Sequence, residues 1–427
     1  MSKVRIAHTK EELLTYLDDV VSLARFVLTN IDIAQQDKWE IRDDVLIHHT
    51  NGFFQVCGLK HQHSNEEHLV LFQPQSALTG LLLYHDGTQM NMLLQARVEP
   101  GNSGIGQFGP TIQSTAGNYL RLHGGKKTSY YDIFTSYKPF ANPIGYGHHI
   151  DLGKRYFHKS KVLSYFQLNE MIDTEENMIW VPLKVVESIA DEDNLLNTDL
   201  RSLLSVFDWD QFSHADQIVQ ENTVHGDSNI FIHNELGAKN WKLCPINKLQ
   251  GWQIGPKGIT DEANNGIWVN MYQVEAETRE VSSWPQPMMC AANKGIVVLL
   301  IRQNEGRWEF LLTVDNEFGT TGEKTILPSF MVYPGDNHEE LKEIFTDGKK
   351  FAEAIQSEEG GRFYLNENIY QIYEVSDEIN VQDNQRWVSR DIFKSLLKTS
   401  NKVSIQMRCA ASLVLKKLNP ITFSERT

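Results

Sequence analysis

Apolar residues near the start of the chain recur at helical spacing. Residues 10–30 carry an apolar side chain every three or four positions, and Thr9 followed by Glu12 has the spacing of a capping box. This pattern predicts an amphipathic helix over residues 10–30. Further on, short runs have β character, and they cover 53–59, 68–72, 79–85 and 90–98. Asp86-Gly87, between the last two runs, predicts a hairpin turn.

The second half of the chain shows the same order of patterns. Residues 296–302 and 308–314 predict two strands, joined by a turn at Asn304-Glu305-Gly306. Each half then closes with helical patterns, which cover 185–190, 194–207, 390–398 and 404–416. Strands followed by helices, used twice, predict an α+β fold.

Identical residues also recur at nearly constant offsets. Trp39 recurs as Trp252, 213 positions later. The same comparison pairs Gln73 with Gln286, Glu99 with Glu317, Gly101 with Gly319, Pro110 with Pro328, Arg155 with Arg362, Trp180 with Trp387, Asn194 with Asn401 and Arg201 with Arg408. A repeat of about 200 residues is too long for a solenoid unit and indicates a duplicated domain.

The duplication predicts the organisation of the chain. We expect an N-terminal helical extension (1–38), a first repeat (39–207), a linker (208–240) and a second repeat (241–427). The offset falls from 218 at Pro110 to 207 at Arg155, so the second copy has lost residues in that interval.

Charge and cysteine content narrow the function classes. The net charge of −15 argues against nucleic acid or an anionic membrane as a partner, because both need a basic face. The four cysteines show no CxxC spacing, which is typical of buried thiols in a reducing compartment. The first residues lack an apolar signal region, and no run of ~18 apolar residues occurs. These features predict a cytoplasmic protein without membrane segments.

The densest group of polar side chains lies at residues 93–123. Glu99 follows an apolar strand, and Pro100-Gly101-Asn102 predicts a turn. The polar residues that follow are Thr111, Gln113 and Thr115, at the alternation of one strand face, and then Asn118, Tyr119, Arg121 and His123. Amides satisfy sugar hydroxyls, arginine pairs with phosphate, and Glu or His transfers protons near neutrality.

Two interpretations of this segment are open. It is either a solvated polar hairpin or a binding site for a polyhydroxylated anion. The second copy lacks the Asn-Tyr-x-Arg-x-His run. A purely structural hairpin should survive duplication better than a site no longer needed twice, so this loss favours a binding site.

The motifs QARVEPGN (95–102), PTIQST (110–115) and NYLRLHG (118–124) together resemble the signature of the NDP-hexose 2,3-dehydratases. The resemblance extends to residues 72–74, 153–157 and 193–204 and includes the duplication. It implies two tandem Nudix-like α/β/α modules and a thymidine-diphosphate 4-keto-6-deoxyglucose substrate. We also expect a homodimer and a downstream NADPH-dependent 3-ketoreductase that consumes the product.

The second copy departs from the signature. Thr313, Phe318 and Ser329 stand where the first copy has Gln95, Pro100 and Thr111. Neither copy contains the Nudix-box sequence, whose acidic helix would hold magnesium. We therefore expect one working pocket per chain and no metal.

The chemistry of such a dehydration can be derived from the sugar. A C4 ketone makes the C3 proton acidic, and the C2 hydroxyl lies β to that ketone, so a base and an acid suffice without a redox cofactor. Glu99 or His123 is the candidate base, and Tyr119 or Tyr131 the candidate acid. The candidate substrate contacts are Gln95, Asn102, Thr111, Gln113, Asn118, Arg121, Tyr131 and Arg155, with Arg121 and Arg155 assigned to the diphosphate.

Other interpretations compete with this one. A non-catalytic protein that binds a nucleotide sugar, or serves as a scaffold, would share the pocket. A pyrophosphohydrolase is disfavoured by the absent Nudix box. Trp39 and Trp252 are interpreted as core residues, the pair Arg201 and Arg408 as structural, and His48-His49 as a surface pair.

Overall fold

The computed structural model describes residues 4–122, 124, 126–207, 240–262, 266–279, 281–320, 324–336, 348–376 and 379–414. The predicted linker lies outside the described residues except for Asn240, and His123 lies outside them as well. No helix in these ranges is both long enough and apolar enough to span a bilayer.

The described chain is built mainly from strands. In chain order the strands of the first half are β1 (Val27–Asn30), β2 (Trp39–Arg42), β3 (Val45–His48), β4 (Gln55–His61), β5 (Glu67–Phe72), β6 (Ala77–His85), β7 (Met90–Val98), β8 (Gly106–Gly109), β9 (Ile112–Ser114), β10 (Ala141–Ile150), β11 (Tyr156–Phe157), β12 (Ser160–Leu168) and β13 (Met178–Pro182).

The strands of the second half are β14 (Trp241–Cys244), β15 (Trp252–Gly255), β16 (Gly258–Asp261), β17 (Ile267–Glu275), β18 (Ser283–Ala291), β19 (Gly295–Asn304), β20 (Arg307–Asp315), β21 (Thr325–Leu327), β22 (Phe330–Val332), β23 (Lys349–Ser357), β24 (Phe363–Tyr364), β25 (Glu367–Glu374) and β26 (Gln385–Ser389). The helices are α1 (Lys10–Leu23), α2 (Ala116–Tyr119), α3 (Tyr131–Thr135), α4 (Leu183–Ser188), α5 (Thr198–Val206), α6 (Arg390–Lys398) and α7 (Ile405–Val414).

Each repeat contains a small and a large sheet. In the first repeat the small sheet has the order β11-β5-β4-β3-β2, and the large sheet has the order β10-β12-β6-β7-β13. The second repeat has the corresponding orders β24-β18-β17-β16-β15 and β23-β25-β19-β20-β26, and β12–β6 and β19–β25 are the parallel pairs of the large sheets. This correspondence confirms the two-module arrangement and the α+β class predicted from the sequence.

The repeats exchange edge strands. β1 precedes the first repeat but pairs with β17 of the second, whereas β14 opens the second repeat and pairs with β4 of the first. Helix α1, by contrast, packs against β7 and β8 of the first repeat. The N-terminal extension is therefore shared between both repeats.

Two equivalent glycines allow the repeats to approach closely. The Gly101 amide donates to the carbonyl oxygen of Gly360 at 2.8 Å, and the Gly319 amide donates to that of Gly153 at 2.7 Å. A Cβ at Gly101 would lie 1.6 Å from the Phe363 carbonyl oxygen, and one at Gly319 would lie 1.8 Å from that of Tyr156. Any other residue would push the repeats apart, because real Cβ atoms do not approach so closely.

The predicted helices and strands agree with the structure where periodicity and turn residues determine the local conformation. Thr9 is confirmed as the N-cap of α1, since its hydroxyl accepts from the Glu12 amide at 3.2 Å. The reciprocal bond of a capping box is replaced by one from the His8 amide, which donates to the Glu12 carboxylate at 2.7 Å. The predicted bounds of β7 and α6 agree to the residue. The predicted helix over 10–30 is wrong at its end, because α1 stops at Leu23 and residues 27–30 form β1.

The equivalent arginines Arg201 and Arg408 are fully buried and hold backbone carbonyls, as predicted. Arg201 donates to the carbonyl oxygens of Leu196 at 3.0 Å and Ala190 at 2.5 Å. Arg408 donates to that of Ile150 at 2.8 Å and therefore ties the second repeat to the first.

Candidate active site

A pocket of about 260 Å³ lies between the two repeats. The first repeat supplies one wall from β2, β3 and the β3–β4 loop, and the second repeat supplies the opposite wall from the start of β18 and the β23–β24 loop. Trp39 joins the walls, because its indole Nε1 donates to the Pro285 carbonyl oxygen at 2.9 Å. A cleft of this kind between modules is a common place for a small-molecule site.

The pocket is cationic although the chain is acidic. Lys38, Arg279 and Arg362 line it, and its described lining residues include no carboxylate. The chain as a whole carries a net charge of −15. Local concentration of cations in an acidic protein favours a small anionic ligand over a large acidic polymer.

Aromatic rings form much of the remaining surface. Trp39, Phe53, Phe54 and Trp284 line the pocket. The Arg362 guanidinium lies 4.5 Å from the centroid of the Phe54 ring, which holds the cation against an aromatic face. Aromatic faces beside cations suit a planar base joined to phosphate.

Glu99 lies just beneath this surface. Its carboxylate is 2.7 Å from Arg97 Nη2 and 3.7 Å from Arg279 Nη1, and only 4% of the residue is exposed. Arg279 also donates to the Val98 carbonyl oxygen at 3.1 Å. Glu99 is therefore held between a first-repeat arginine and a second-repeat arginine that lines the pocket.

The predicted polar strip continues from Glu99 along the large sheet. Arg97 donates to the Gln95 side-chain oxygen at 2.6 Å, and Asn197 donates to that of Gln113 at 2.8 Å. Arg97 and Asn197 meet above Gly109, where an added Cβ would lie 2.6 Å and 2.8 Å from them. The structure thus joins Gln95 and Glu99 through Arg97 and brings the Asn197–Gln113 pair close to this arginine.

Helix α2 carries the next group of predicted residues. Asn118 lines the pocket, and the Tyr119 ring stacks on the Tyr131 ring with centroids 5.3 Å apart. Burial, assisted by Tyr131, raises the pKa of Tyr119, so this phenol stays protonated near neutrality. Arg121 follows the helix in a left-handed conformation and is exposed.

Two predicted contacts are engaged within the protein. The Thr111 hydroxyl accepts from the Leu82 amide at 2.9 Å and donates to the Leu93 carbonyl oxygen. Ser329 makes the equivalent bonds in the second repeat, which favours a structural role for this position. Asn102 is buried, and its amide donates to Gln107 at 2.9 Å.

The structure places Arg155 away from this pocket. Its guanidinium donates to the Pro334 carbonyl oxygen at 2.6 Å and lies 3.4 Å from Asp336 in the second repeat. Its counterpart Arg362 lines the pocket between the repeats instead. The arginine of each repeat therefore contacts the other repeat: Arg155 contacts Pro334 and Asp336, and Arg362 contacts Phe54.

The equivalent position in the second repeat is filled by aromatic rings. Phe318, the counterpart of Pro100, stacks on His68 at 4.0 Å and lies 5.4 Å from the Trp241 ring. His68 is the counterpart of Val281, which lines the open pocket. The small residues Pro100 and Val281 thus leave space that Phe318 and His68 occupy on the other side.

Glu317, the counterpart of Glu99, has a different environment. It accepts a short hydrogen bond from the Tyr333 hydroxyl, and burial raises the pKa of Glu317 to about 7. No arginine replaces Arg97 here, because Asp315 stands at that position. The two equivalent glutamates are therefore not interchangeable.

We expect Glu317→Gln to change the pH dependence of stability. Since the folded-state pKa is raised from 4.5 to about 7, the native protein binds more protons than the unfolded chain between these values. Wild-type stability relative to the variant should be greatest below pH 4.5 and fall by on the order of 3 kcal/mol as pH rises through 7. Urea unfolding of both proteins across this range measures the difference. A difference that does not change with pH would contradict the raised pKa.

The sequence prediction missed several pocket residues. His48 was expected at the surface with His49, but it is 9% exposed and lines the pocket. Burial lowers the pKa of His48 to about 4, so its imidazole is neutral at physiological pH. Lys38, Arg279, Trp284 and Arg362 were also missed as site residues. The repeated pair Arg155 and Arg362 was the available signal, but only one member was assigned to the site.

A cationic, aromatic pocket beside a buried carboxylate and a pair of stacked phenols has the composition that suits a nucleotide sugar. Comparison with known families agrees with this class. The family model described as NDP-hexose 2,3-dehydratase matches residues 10–207 and 233–414, and the chain belongs to this family. It is accordingly a hydro-lyase that acts on a nucleotide sugar.

Similar proteins carry the same activity in their names. The chain is 27% identical to the dTDP-4-dehydro-6-deoxy-alpha-D-glucopyranose 2,3-dehydratase of Streptomyces violaceoruber, over 86% of this chain and 88% of that protein. The dehydratase of that name from Amycolatopsis orientalis is 24% identical, over 90% and 85% of the two chains. The one from Saccharopolyspora spinosa is 24% identical, over 92% and 88%.

Proposed function

We propose that the substrate is an NDP-4-keto-6-deoxyhexose, with thymidine-diphosphate 4-keto-6-deoxyglucose as the first choice. The observation that carries the proposal is the pocket between the repeats, where three cations and several aromatic rings lie next to the Glu99 network. The names of the three similar enzymes support the same sugar.

The ligand orientation follows from the chemistry of the walls. Arg279 and Arg362 bind the diphosphate, and the rings of Trp39, Phe53 and Trp284 enclose the base. The sugar then extends toward Asn118 and the side chains of Glu99, Gln95 and Gln113. Arg279 and Arg362 take the diphosphate role that the sequence assigned to Arg121 and Arg155.

The reaction is an elimination without change of overall oxidation state. A base removes the C3 proton, the electron pair forms the C2–C3 double bond, and an acid protonates the departing C2 oxygen as water. The resulting enol takes up a proton at C2 and becomes the 3,4-diketone. Glu99 or His123 is the base, and Tyr119, backed by Tyr131, supplies the proton or a hydrogen bond to the enolate oxygen.

The direct test is incubation with thymidine-diphosphate 4-keto-6-deoxyglucose, a 3-ketoreductase and NADPH. We expect mass spectrometry to show a product that has lost one water and gained two hydrogens, because the reductase traps the diketone. A substrate deuterated at C3 should release its label to solvent. A substrate that is bound but keeps the label would support the non-catalytic alternative.

One tight nucleotide-sugar site per chain is expected. Phe318 and His68 stack where Pro100 and Val281 line the pocket in the first repeat, so a second ligand of the same size has less room there. Titration calorimetry with a thymidine-diphosphate sugar measures the stoichiometry. Two sites of equal affinity would contradict this prediction.

Turnover is expected to survive removal of metal. The described residues contain no group of three or more His, Cys, Asp or Glu side chains arranged to hold a metal ion. Dialysis against EDTA should leave kcat/KM unchanged. A loss of activity that magnesium or zinc restores would show that a metal takes part.

The proposal also covers the type of module, the cellular location and the partners of the protein. The mixed large sheets with helices α4 to α7 support Nudix-like modules with the repeat boundaries proposed from the sequence. The four cysteines are free thiols, which supports a cytoplasmic location. We also propose a homodimer and a partner 3-ketoreductase, since a 3,4-diketone is reactive and its rapid reduction protects it.

A further inference from the structure

The loop that carries Arg362 into the pocket has an unusual anchor. This arginine loop, residues 359–362, joins β23 to β24, and both Gly361 and Arg362 line the pocket. It forms a tight turn, because the amides of Arg362 and Phe363 both donate to the Glu359 carbonyl oxygen. The position of the Arg362 guanidinium therefore depends on the position of Glu359.

First-repeat side chains hold the Glu359 carboxylate. It lies 3.3 Å from Lys159 Nζ and 3.9 Å from Lys161 Nζ, and it accepts from the Tyr156 hydroxyl at 3.2 Å. The Lys159 ammonium also lies 4.0 Å from the centroid of the Tyr156 ring. The Glu359 side chain is 12% exposed, whereas those of the two lysines are 0% and 2% exposed.

Two aspartates fix the lysines from the other side. Asp199 lies 2.6 Å from Lys161, and Asp151 lies 3.2 Å from Lys161 and 3.5 Å from Lys159. Burial alone would raise the pKa of Glu359, but Lys159, Lys161 and Arg362 outweigh it and hold the pKa below its usual range. The anchor is thus an ion pair within a buried network of opposite charges.

The lysines of the network exist on one side of the internal symmetry only, although Asp151 keeps an acidic counterpart in Glu358. Leu152 stands at the position equivalent to Glu359, in the loop that carries Arg155, and it is buried in the hydrophobic core. The counterparts of Lys159, Lys161 and Asp199 are the neutral residues Asn366, Asn368 and Gln406. A packing role common to both loops would need the same residues in both, so the charges serve the loop that lines the open pocket.

We propose that Glu359, paired with Lys159, is a positioning residue that holds the arginine loop so that Arg362 meets the diphosphate of the substrate. A buried ion pair is a poor source of stability compared with apolar packing, and leucine at the equivalent position shows that this fold accepts packing there. The contribution of the ion pair is instead to fix the position of the arginine loop. This inference rests on the proposed function, because it takes the ligand to be a nucleoside diphosphate.

The test compares Glu359→Gln with Asp336→Asn, which alters the contact of Arg155 in the equivalent loop. Calorimetry with thymidine diphosphate and with thymidine separates the diphosphate contribution from that of the base. We expect Glu359→Gln to weaken thymidine diphosphate binding about tenfold and to leave thymidine unchanged, because only a charge-assisted contact is displaced. KM should rise with kcat within roughly twofold, since uniform binding is lost. Asp336→Asn should leave both affinities, KM and kcat unchanged.

A folded Glu359→Gln protein with wild-type affinity for thymidine diphosphate would overturn the inference, as would equal losses for both ligands. If the single variant does not fold, the double variant Lys159→Met/Glu359→Leu removes both charges and restores the apolar residue of the other repeat. We expect this double variant to fold and to bind thymidine diphosphate more weakly than the wild type. If it binds thymidine diphosphate with wild-type affinity, the inference is overturned. Failure of the proposed function looks different, because the wild-type protein would then bind thymidine diphosphate no better than thymidine.

Discussion

Glu99→Gln is expected to lower kcat by roughly 10²–10⁴-fold, the usual contribution of a general base. The carboxylate lies between Arg97 and Arg279 at the edge of the pocket, and the amide keeps its shape but cannot take a proton. Binding of a thymidine-diphosphate sugar should weaken far less, because most contacts remain. Steady-state kinetics with calorimetry measures both, and circular dichroism verifies that the variant is folded.

Glu317→Gln is the matched control. Glu317 occupies the equivalent position but does not line the open pocket, because it is buried against Tyr333. We expect activity close to that of the wild type. Equal damage from both variants would mean that this glutamate stabilises the turn in both repeats. The proton transfer would then fall to His123 and Tyr119, and His123→Asn would become the decisive variant.

Arg362→Ala is expected to weaken binding of thymidine diphosphate by roughly 10- to 100-fold, the range for a lost charge-assisted hydrogen bond. Arg362 lines the pocket from the second repeat, and its guanidinium is held against Phe54. Thymidine, which lacks the diphosphate, should bind with unchanged affinity. Calorimetry with the two ligands measures the contrast.

Arg155→Ala provides the comparison for Arg362. Arg155 bonds to Pro334 and Asp336 in the second repeat, away from the pocket. Its loss should therefore lower thermal stability and leave nucleotide affinity unchanged. If Arg155→Ala weakens thymidine diphosphate binding and Arg362→Ala does not, the original assignment of Arg155 to the diphosphate is right and the pocket between the repeats is not the substrate site.

The elements and the duplication were predictable from local signals. Alternating and helical periodicities, Asp86-Gly87 and the Thr9 N-cap act over a few residues, and the structure confirms them. The repeated pairs predicted two modules, which the four sheets bear out. Local sequence also accounts for the link between Gln95 and Glu99 through Arg97 and for the place of Asn118 in the pocket lining, because these residues belong to one polar stretch of the chain.

The opposite wall of the pocket could not be predicted in this way. Trp39 meets Pro285, Glu99 meets Arg279, and Gly101 bonds to Gly360. Each contact joins residues far apart in the chain, and no periodicity or turn motif records which distant loops will meet. Burial of the small sheets against each other and the close approach at Gly101 and Gly319 decide that pairing. That packing moves Arg362 into the pocket and Arg155 out of it, although the two residues occupy the same position in the repeat.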